Sequence, residues 1–332
     1  MKDEVLNHVW VPNITRTVST FESKGVPVYV KHHNSQGWLS RYDFSQEKAP
    51  GVYRIAFVGD SFTEGTCAEE DTLPAIVQQR LSVPGRDRVE VMNTGTSSYA
   101  PTLYYLLLKT KLLSFHPDLI VINVDMTDVF DDGIYRTTLR VDANGDPIAC
   151  AYGHPLVRSH RRTERGLEPL SLFDKATLVL TEYSRAARLV IGVAENLQRA
   201  QRKRGEKGIP ALFAWCDTER SVETQEQVDW SMGILRRAIQ LAKRSGAKVV
   251  VTGVPHLQQL SGEFSTRPMD DLAELCRSED VPFLNPVDEF KKRLGSTPPD
   301  TLYIPDDMHF NPDGYRMWAE IQVEFLNSLG LP

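Results

Sequence analysis

Short β-branched runs that each stop at a turn constrain this chain more than any other feature. Residues 118–124 read DLIVINV, a continuous apolar run of the kind a strand carries when both of its faces are covered. Residues 53–58 (YRIAFV) end at Gly59, and residues 89–93 (VEVMN) end at the turn sequence TGTSS. Residues 247–254 (AKVVVTGV) and 281–284 (VPFL) repeat the type. Between the runs lie stretches with helical spacing, among them residues 73–81 and 99–115. Five short strands alternating with helices predict an α/β fold, a parallel sheet of about five strands with helices on both faces.

Two regions depart from that rhythm. Residues 1–50 hold Pro, Asn, Ser and short β-rich pieces such as VPVYV at 26–30, without helical periodicity, and are read as an extended N-terminal arm on a main domain spanning 51–332. From about 133 to 245 the alternation is interrupted by what reads as a helical insertion. Asn144-Gly145 between strand-like pieces predicts a hairpin there. Residues 172–204 read as one long helix whose Lys175, Glu182, Arg185, Arg188 and Glu195 exclude a membrane span. No apolar run approaches the roughly 20 residues a spanning helix needs. The start, MKDEVLNHVW, lacks the basic-then-apolar form of a signal peptide, and an extracytoplasmic location is expected only if a signal or anchor has been removed ahead of it. Oligomeric state is not legible.

Thirty-eight Lys and Arg against forty-four Asp and Glu give a net charge of −6, which argues against a surface built mainly to collect nucleic-acid phosphates or anionic lipid. The four cysteines, Cys67, Cys150, Cys216 and Cys276, form no CxxC and signal neither a zinc knuckle nor a disulfide framework.

In open parallel sheets ligands sit beyond the carboxyl ends of the strands, so the turns after each strand carry the functional signal. The first turn is Gly59-Asp60-Ser61-Phe62-Thr63-Glu64-Gly65. A serine there is either a nucleophile or a helix N-cap. A phosphate loop is excluded because no Lys follows Gly65 and Asp60 and Glu64 would repel an anion, and the G-x-S-x-G elbow fails because position 63 is Thr. Near the C-terminus Asp306 stands three residues before His309. In a first helical turn such residues share a face, so Asp306 is expected to hold one imidazole nitrogen and leave the other as a base. Alone, an Asp-x-x-His pair is an ordinary surface feature. It matters because a serine hydroxyl at neutral pH needs a base to take its proton. Gly95 and Thr127, in the turns after the second and third strands, are placed to donate to an oxyanion, or else serve only a turn and a helix cap.

Together these turns resemble the GDSL or SGNH hydrolases, a superfamily of serine esterases with a flavodoxin-like three-layer α/β/α fold. The blocks that carry the resemblance are residues 59–65, Asn93-Thr94-Gly95, Asp125-Met126-Thr127-Asp128 and Asp306-Asp307-Met308-His309, and it covers about residues 52–132 and 247–328. It implies Ser61 as nucleophile, His309 as base, Asp306 as its orienting acid, and an oxyanion hole of the Ser61 and Gly95 N–H groups with Thr127. It implies no cofactor. The third block usually reads Gly-x-Asn-Asp, so Thr127 stands where an asparagine amide is expected. Losing one such donor costs on the order of 10²–10³ in rate.

Metal dependence is not expected: Asp125, Asp128, Asp131 and Asp132 lack the Asp-x-Asp-x-Asp-Gly order, and the loop at 142–146 has Pro147 where a calcium loop needs Gly. His8, His32, His33, His116, His154, His160 and His256 have no ligand spacing and are read as surface or packing residues. Trp38, in the arm element HNSQGW, is read as a brace or as a contact that stacks on a sugar ring. The expected partner is a small-molecule or carbohydrate ester, with no nucleic acid. The expected activity is cleavage of a small acyl ester, such as an O-acetyl group on a carbohydrate, through an acyl-serine. The alternatives are an O-acyltransferase in polysaccharide modification and a noncatalytic binding module on the same fold.

Overall fold

The computed structural model describes residues 1–82, 88–152, 160–163, 166–169 and 210–331. The expected helix at 172–204 lies outside the described residues. A central sheet is built from β3 (Val52–Val58), β4 (Arg88–Asn93), β5 (Leu119–Val124), β10 (Lys248–Gly253) and β11 (Phe283–Leu284), every neighbouring pair parallel, in the order β11-β10-β5-β3-β4. Counted within the sheet this is 2-1-3-4-5, the flavodoxin-like winding, whose switch point lies between the first and third strands. The turns beyond the ends of those strands, β3 and β5, carry Ser61 and Asp125 to Thr127.

Helices cover both faces of the sheet, as expected for strands buried all round. The short α1 (Ser61–Glu64) follows β3, and α2 (Leu73–Leu81) leads into β4. After β4 come α3 (Pro101–Thr110) and, after β5, α4 (Asp128–Tyr135). Further on lie α5 (Val222–Arg244), α6 (Leu257–Leu260), α7 (Arg267–Ser278), α8 (Val287–Leu294) and α9 (Pro312–Ser328). Helices α2 and α9 pack together on one face, and α3, α5 and α7 lie on the other. The apolar run of β5 is fully buried along its length, and β3 is buried from Arg54 onward.

Two parts differ from the sequence reading. The first fifty residues contain an antiparallel hairpin, β1 (Ile14–Val18) against β2 (Tyr29–His33), with Ile14 opposite His33 and Val18 opposite Tyr29. The interruption after β5 opens with the hairpin expected around Asn144-Gly145, β6 (Leu139–Val141) against β7 (Pro147–Cys150), where Gly145 takes a left-handed φ of +76°. An antiparallel pair, β8 (His160–Thr163) and β9 (Gly166–Pro169), follows. Helix α5, however, packs on α3, α4 and β10, so the end of the insertion at about 245 is set too late: residues 222–244 are the crossover that covers the sheet between β5 and β10. No helix among the described residues is long and apolar enough to cross a membrane.

Candidate active site

Ser61 is the first residue of α1, directly beyond the carboxyl end of β3. Asp60 caps the helix by accepting from the Phe62 N–H at 2.9 Å. The turn is compact because Gly59 has no side chain: a Cβ there would meet Thr63 Oγ1 at 2.0 Å and the Asn123 carbonyl at 3.1 Å. Thr63 Oγ1 instead accepts from Asn123 Nδ2 at 2.9 Å, and Asn123 Oδ1 accepts from Gln322 at 3.0 Å and Thr252 at 3.3 Å. This buried polar network, inside the sheet, fixes α1 to β5, β10 and α9.

The serine meets the histidine. Ser61 Oγ lies 2.8 Å from His309 Nε2, across 248 residues of chain. The imidazole packs on the buried Phe62 ring at 4.9 Å between centroids. Its other nitrogen, Nδ1, is 2.5 Å from Asp307 Oδ1, which also accepts the His309 backbone N–H at 3.0 Å. Asp307, not Asp306, therefore faces the ring, and the expected pairing of Asp306 with His309 is corrected. The segment is not a helical turn. Tyr303 and Phe310 form an antiparallel bridge and the Ile304 N–H donates to the His309 carbonyl, so in this tight reversal the residue two positions back turns toward the ring. Asp306 sits at the corner with a left-handed φ of +54°, and its carbonyl accepts from Lys24 Nζ at 2.8 Å. Burial works against a charge on Asp307, but its bonds from His309 and the nearby Lys24 outweigh it and hold the carboxyl below its ordinary range.

The three expected oxyanion donors fare differently. The Ser61 N–H, at the first position of α1, has no acceptor among the described residues. The Gly95 N–H donates to Asn93 Oδ1 at 3.1 Å. Gly95 is needed for close approach: a Cβ would stand 2.3 Å from the Glu64 nitrogen, so the loop after β4 lies directly on the backbone of α1. Thr127 donates both its N–H, at 3.0 Å, and its hydroxyl to Asp125 Oδ2. Its single hydroxyl proton is thereby committed to a carboxylate, and the expected donation to an oxyanion is corrected on that ground. Trp38 is 4% exposed, with its ring edge-on to Phe115 at 4.9 Å, and is a brace beneath the loop that precedes β5 rather than a surface for a sugar.

The motifs place Asp60 in one block and Asp125 and Asp128 in another, and join neither to the other or to His256. Asp60, Asp125 and Asp128 converge in the interior, each able to place an oxygen within 4.8 Å of the others. Buried His256, from the turn after β10, contacts Asp125 Oδ1 through Nε2. Burial opposes a charge on Asp125, but His256 and the Thr127 donors prevail and hold it ionised. Burial, together with that charge, pushes Asp60 and Asp128 well above the usual carboxylate range. These are also the residues best placed to hold a cation. Yet both Asp125 oxygens are taken by His256 and Thr127, Asp60 is engaged by Phe62 and Ser61, and Asp128 Oδ2 by the Tyr104 hydroxyl and the Asp125 N–H. Only the folded order of the strands shows this cluster, because His256 is 131 residues from its partner.

The sequence profile of the GDSL-like lipase/acylhydrolase family matches residues 57–317, a span that includes Ser61 and His309. A search by sequence among curated proteins finds no match. Among solved structures the chain is similar to a catalytic mutant of an acetylxylan esterase from Geobacillus stearothermophilus, at 13% identity over 87% of this chain and 98% of that one, with a TM-score of 0.47. It is similar also to a lipase/acylhydrolase from Enterococcus faecalis, at 13% identity over 83% of this chain and 96% of that one, with a TM-score of 0.44. A two-domain esterase active on acetylated mannans aligns at 13% identity over 83% of this chain and 49% of its own, with a TM-score of 0.45. By the match of the family profile over most of its length, the chain belongs to the GDSL-like lipase/acylhydrolase family and is an ester-cleaving enzyme.

Proposed function

We propose that the protein is a serine esterase in which Ser61 attacks the carbonyl of a small acyl ester, such as an O-acetyl group on a carbohydrate. One observation carries this reading: the unbroken chain from Ser61 Oγ to His309 Nε2 at 2.8 Å and from His309 Nδ1 to Asp307 at 2.5 Å. In the first step the Ser61 oxygen bonds to the carbonyl carbon while its proton passes to His309 Nε2. Asp307 holds the ring in the tautomer that leaves Nε2 free to accept, and stabilises the imidazolium that results. The Ser61 N–H faces the developing oxyanion. Collapse breaks the bond to the alcohol, which leaves with the proton from Nε2. Water then attacks the acyl-serine, giving its proton to His309, and Ser61 recovers a proton as the acid departs.

The upward shift that burial imposes on Asp60 suits this chemistry. Asp60 Oδ2 lies 3.3 Å from Ser61 Oγ, and a second full negative charge there would oppose the charge that builds on the substrate. The test is labelling by a fluorophosphonate followed by peptide mass spectrometry, alongside hydrolysis of an aryl acetate. A single adduct on Ser61 is expected, with a fall in kcat of about 10³-fold or more in Ser61→Ala. An adduct on another residue would overturn the assignment to Ser61, and equal, negligible rates in the two proteins would favour a binding module on this fold.

A further inference from the structure

We infer that the N-terminal hairpin is a clasp that holds the two halves of the active site in register, with Lys24 as a positioning residue for the Asp307–His309 pair. This rests on the serine-esterase reading above. Ser61 and His309 come from opposite ends of the domain, and their hydrogen bond survives only if α1 and the turn at 304–309 keep a fixed separation. The hairpin touches both.

On the serine side, Lys31 of β2 is buried and its Nζ lies 2.8 Å from Glu64 Oε1, while also donating to the Gly65 carbonyl. Arg16 of β1 reaches the same Glu64 oxygen at 3.3 Å. Glu64 is the last residue of α1, and its other oxygen accepts the Ser97 N–H at 3.1 Å and hydroxyl at 3.0 Å. Burial opposes a charge on Glu64, but Lys31 and Arg16 prevail and keep it ionised, so the middle of the hairpin is joined to α1 by a desolvated ion pair. Such a pair loses much when either partner is removed, which makes it a firm anchor point.

On the histidine side, the loop between β1 and β2 is closed on itself. The Lys24 and Val26 N–H groups both donate to the Phe21 carbonyl, at 2.9 and 3.1 Å, and Gly25 takes the left-handed φ of +85° that ends the turn. Val26 and Tyr29 bury against Ile304, with Phe21 packed beside them, and Ile304 opens the turn that carries Asp307. From this platform Lys24 Nζ donates to the Asp306 carbonyl at 2.8 Å and stands 3.8 Å from Asp307 Oδ2. Asp306 is the left-handed corner of the turn, so a donor on its carbonyl restrains the peptide that leads directly into Asp307. The Phe21 ring lies 6.4 Å from the His309 ring. Nothing in the triad chemistry demands a residue from the first thirty, yet the hairpin supplies a hydrogen bond to the Asp306 carbonyl, an ion pair to the acid and an aromatic ring beside the base. Errors of about 1 Å in such an arrangement cost on the order of 10²-fold in rate, so restraint of the turn acts on turnover rather than on binding.

The experiment compares Lys24→Met and Lys24→Arg with wild type in steady-state hydrolysis of an aryl acetate, with thermal melts and with Ser61→Ala as the reference for lost chemistry. Lys24→Met is expected to lower kcat about tenfold with KM within about twofold, and Lys24→Arg to return kcat to within about threefold of wild type. A wild-type kcat in Lys24→Met would overturn the clasp, as would a loss that Lys24→Arg fails to restore while both variants melt as wild type does. Should Lys24→Met not fold, Lys24→Gln, which keeps a donor for the Asp306 carbonyl but no charge, is read instead. A kcat between those of Ser61→Ala and wild type is expected, and a wild-type value overturns the proposal. If Ser61→Ala itself hydrolyses at the wild-type rate, the serine reading fails instead, and that result is recognised without reference to Lys24.

Discussion

At the scale of single residues, Asp306 and Asp307 show how narrow the margin is between the carboxyl that faces an imidazole and its neighbour. Asp307 accepts two bonds from His309, one from the ring and one from the backbone. Asp306 offers the site only its carbonyl. Asp307→Ala should therefore lower kcat by about 10²–10⁴-fold, while Asp306→Ala, which keeps that carbonyl, should stay within about tenfold of wild type. Steady-state kinetics on the two variants decide it, and the reverse order would mean that Asp306 swings onto the ring during turnover. The block DDMH points to the histidine that meets Ser61, but the carboxyl that faces its ring is Asp307 and not Asp306. Spacing assigns i and i+3 to one face only if the segment is helical, and the Tyr303–Phe310 bridge makes it a reversal instead. Thr127 carries the same lesson. Its place in the third block was legible, whereas the direction of its hydroxyl is set by Asp125, whose charge is favoured by a histidine from the turn after β10.

At the scale of elements, the legible part was the sheet. Runs such as DLIVINV are buried on both faces, so their type and their parallel pairing could be read directly, while their order in the sheet came from the fold. Helix α2 begins and ends at the residues its spacing indicates. The loops are harder, because contacts distant in sequence decide their shape. The loop after β4 is pressed onto α1 at Gly95, with the Thr96 N–H bonded to the Gly59 carbonyl and Ser97 bonded to Glu64. A methyl group at 95 would run into the backbone of Thr63 and Glu64, which has no side-chain freedom to yield. Gly95→Ala should accordingly push α1 and the loop apart, destabilising the fold by about 1–3 kcal/mol and reducing kcat more than tenfold. Urea unfolding and initial rates measure the two effects, and a variant with wild-type rate would show that this contact does not set the position of Ser61.

At the scale of the whole molecule, the packed helical layer over β5 and β10 shares one buried carboxyl group, and its burial ties stability to pH. Asp132 of α4 accepts the Thr102 N–H of α3 at 2.9 Å and the Ser231 hydroxyl of α5 at 2.6 Å, so one buried side chain ties together three helices. Burial pushes it up to about 7, against the modest opposing pull of its donors from Ser231 and Thr102. The unfolded chain releases this proton near pH 4 and the folded chain only near 7, so between those values the native state binds more protons and the contribution to stability declines as pH rises. Below pH 4 it is fully present, and above 7 it declines no further. The upper bound on the change is about 4 kcal/mol. In Asp132→Asn the amide cannot ionise, while its oxygen can still accept from Thr102 and its NH₂ can donate to the Ser231 oxygen. The variant should therefore gain on wild type as pH goes from 5 to 8, by about 1–3 kcal/mol in urea unfolding free energy. A difference between the two proteins that stays constant across that range would mean the carboxyl keeps one protonation state in both the folded and unfolded chain, and the joint between α3, α4 and α5 would then be indifferent to pH.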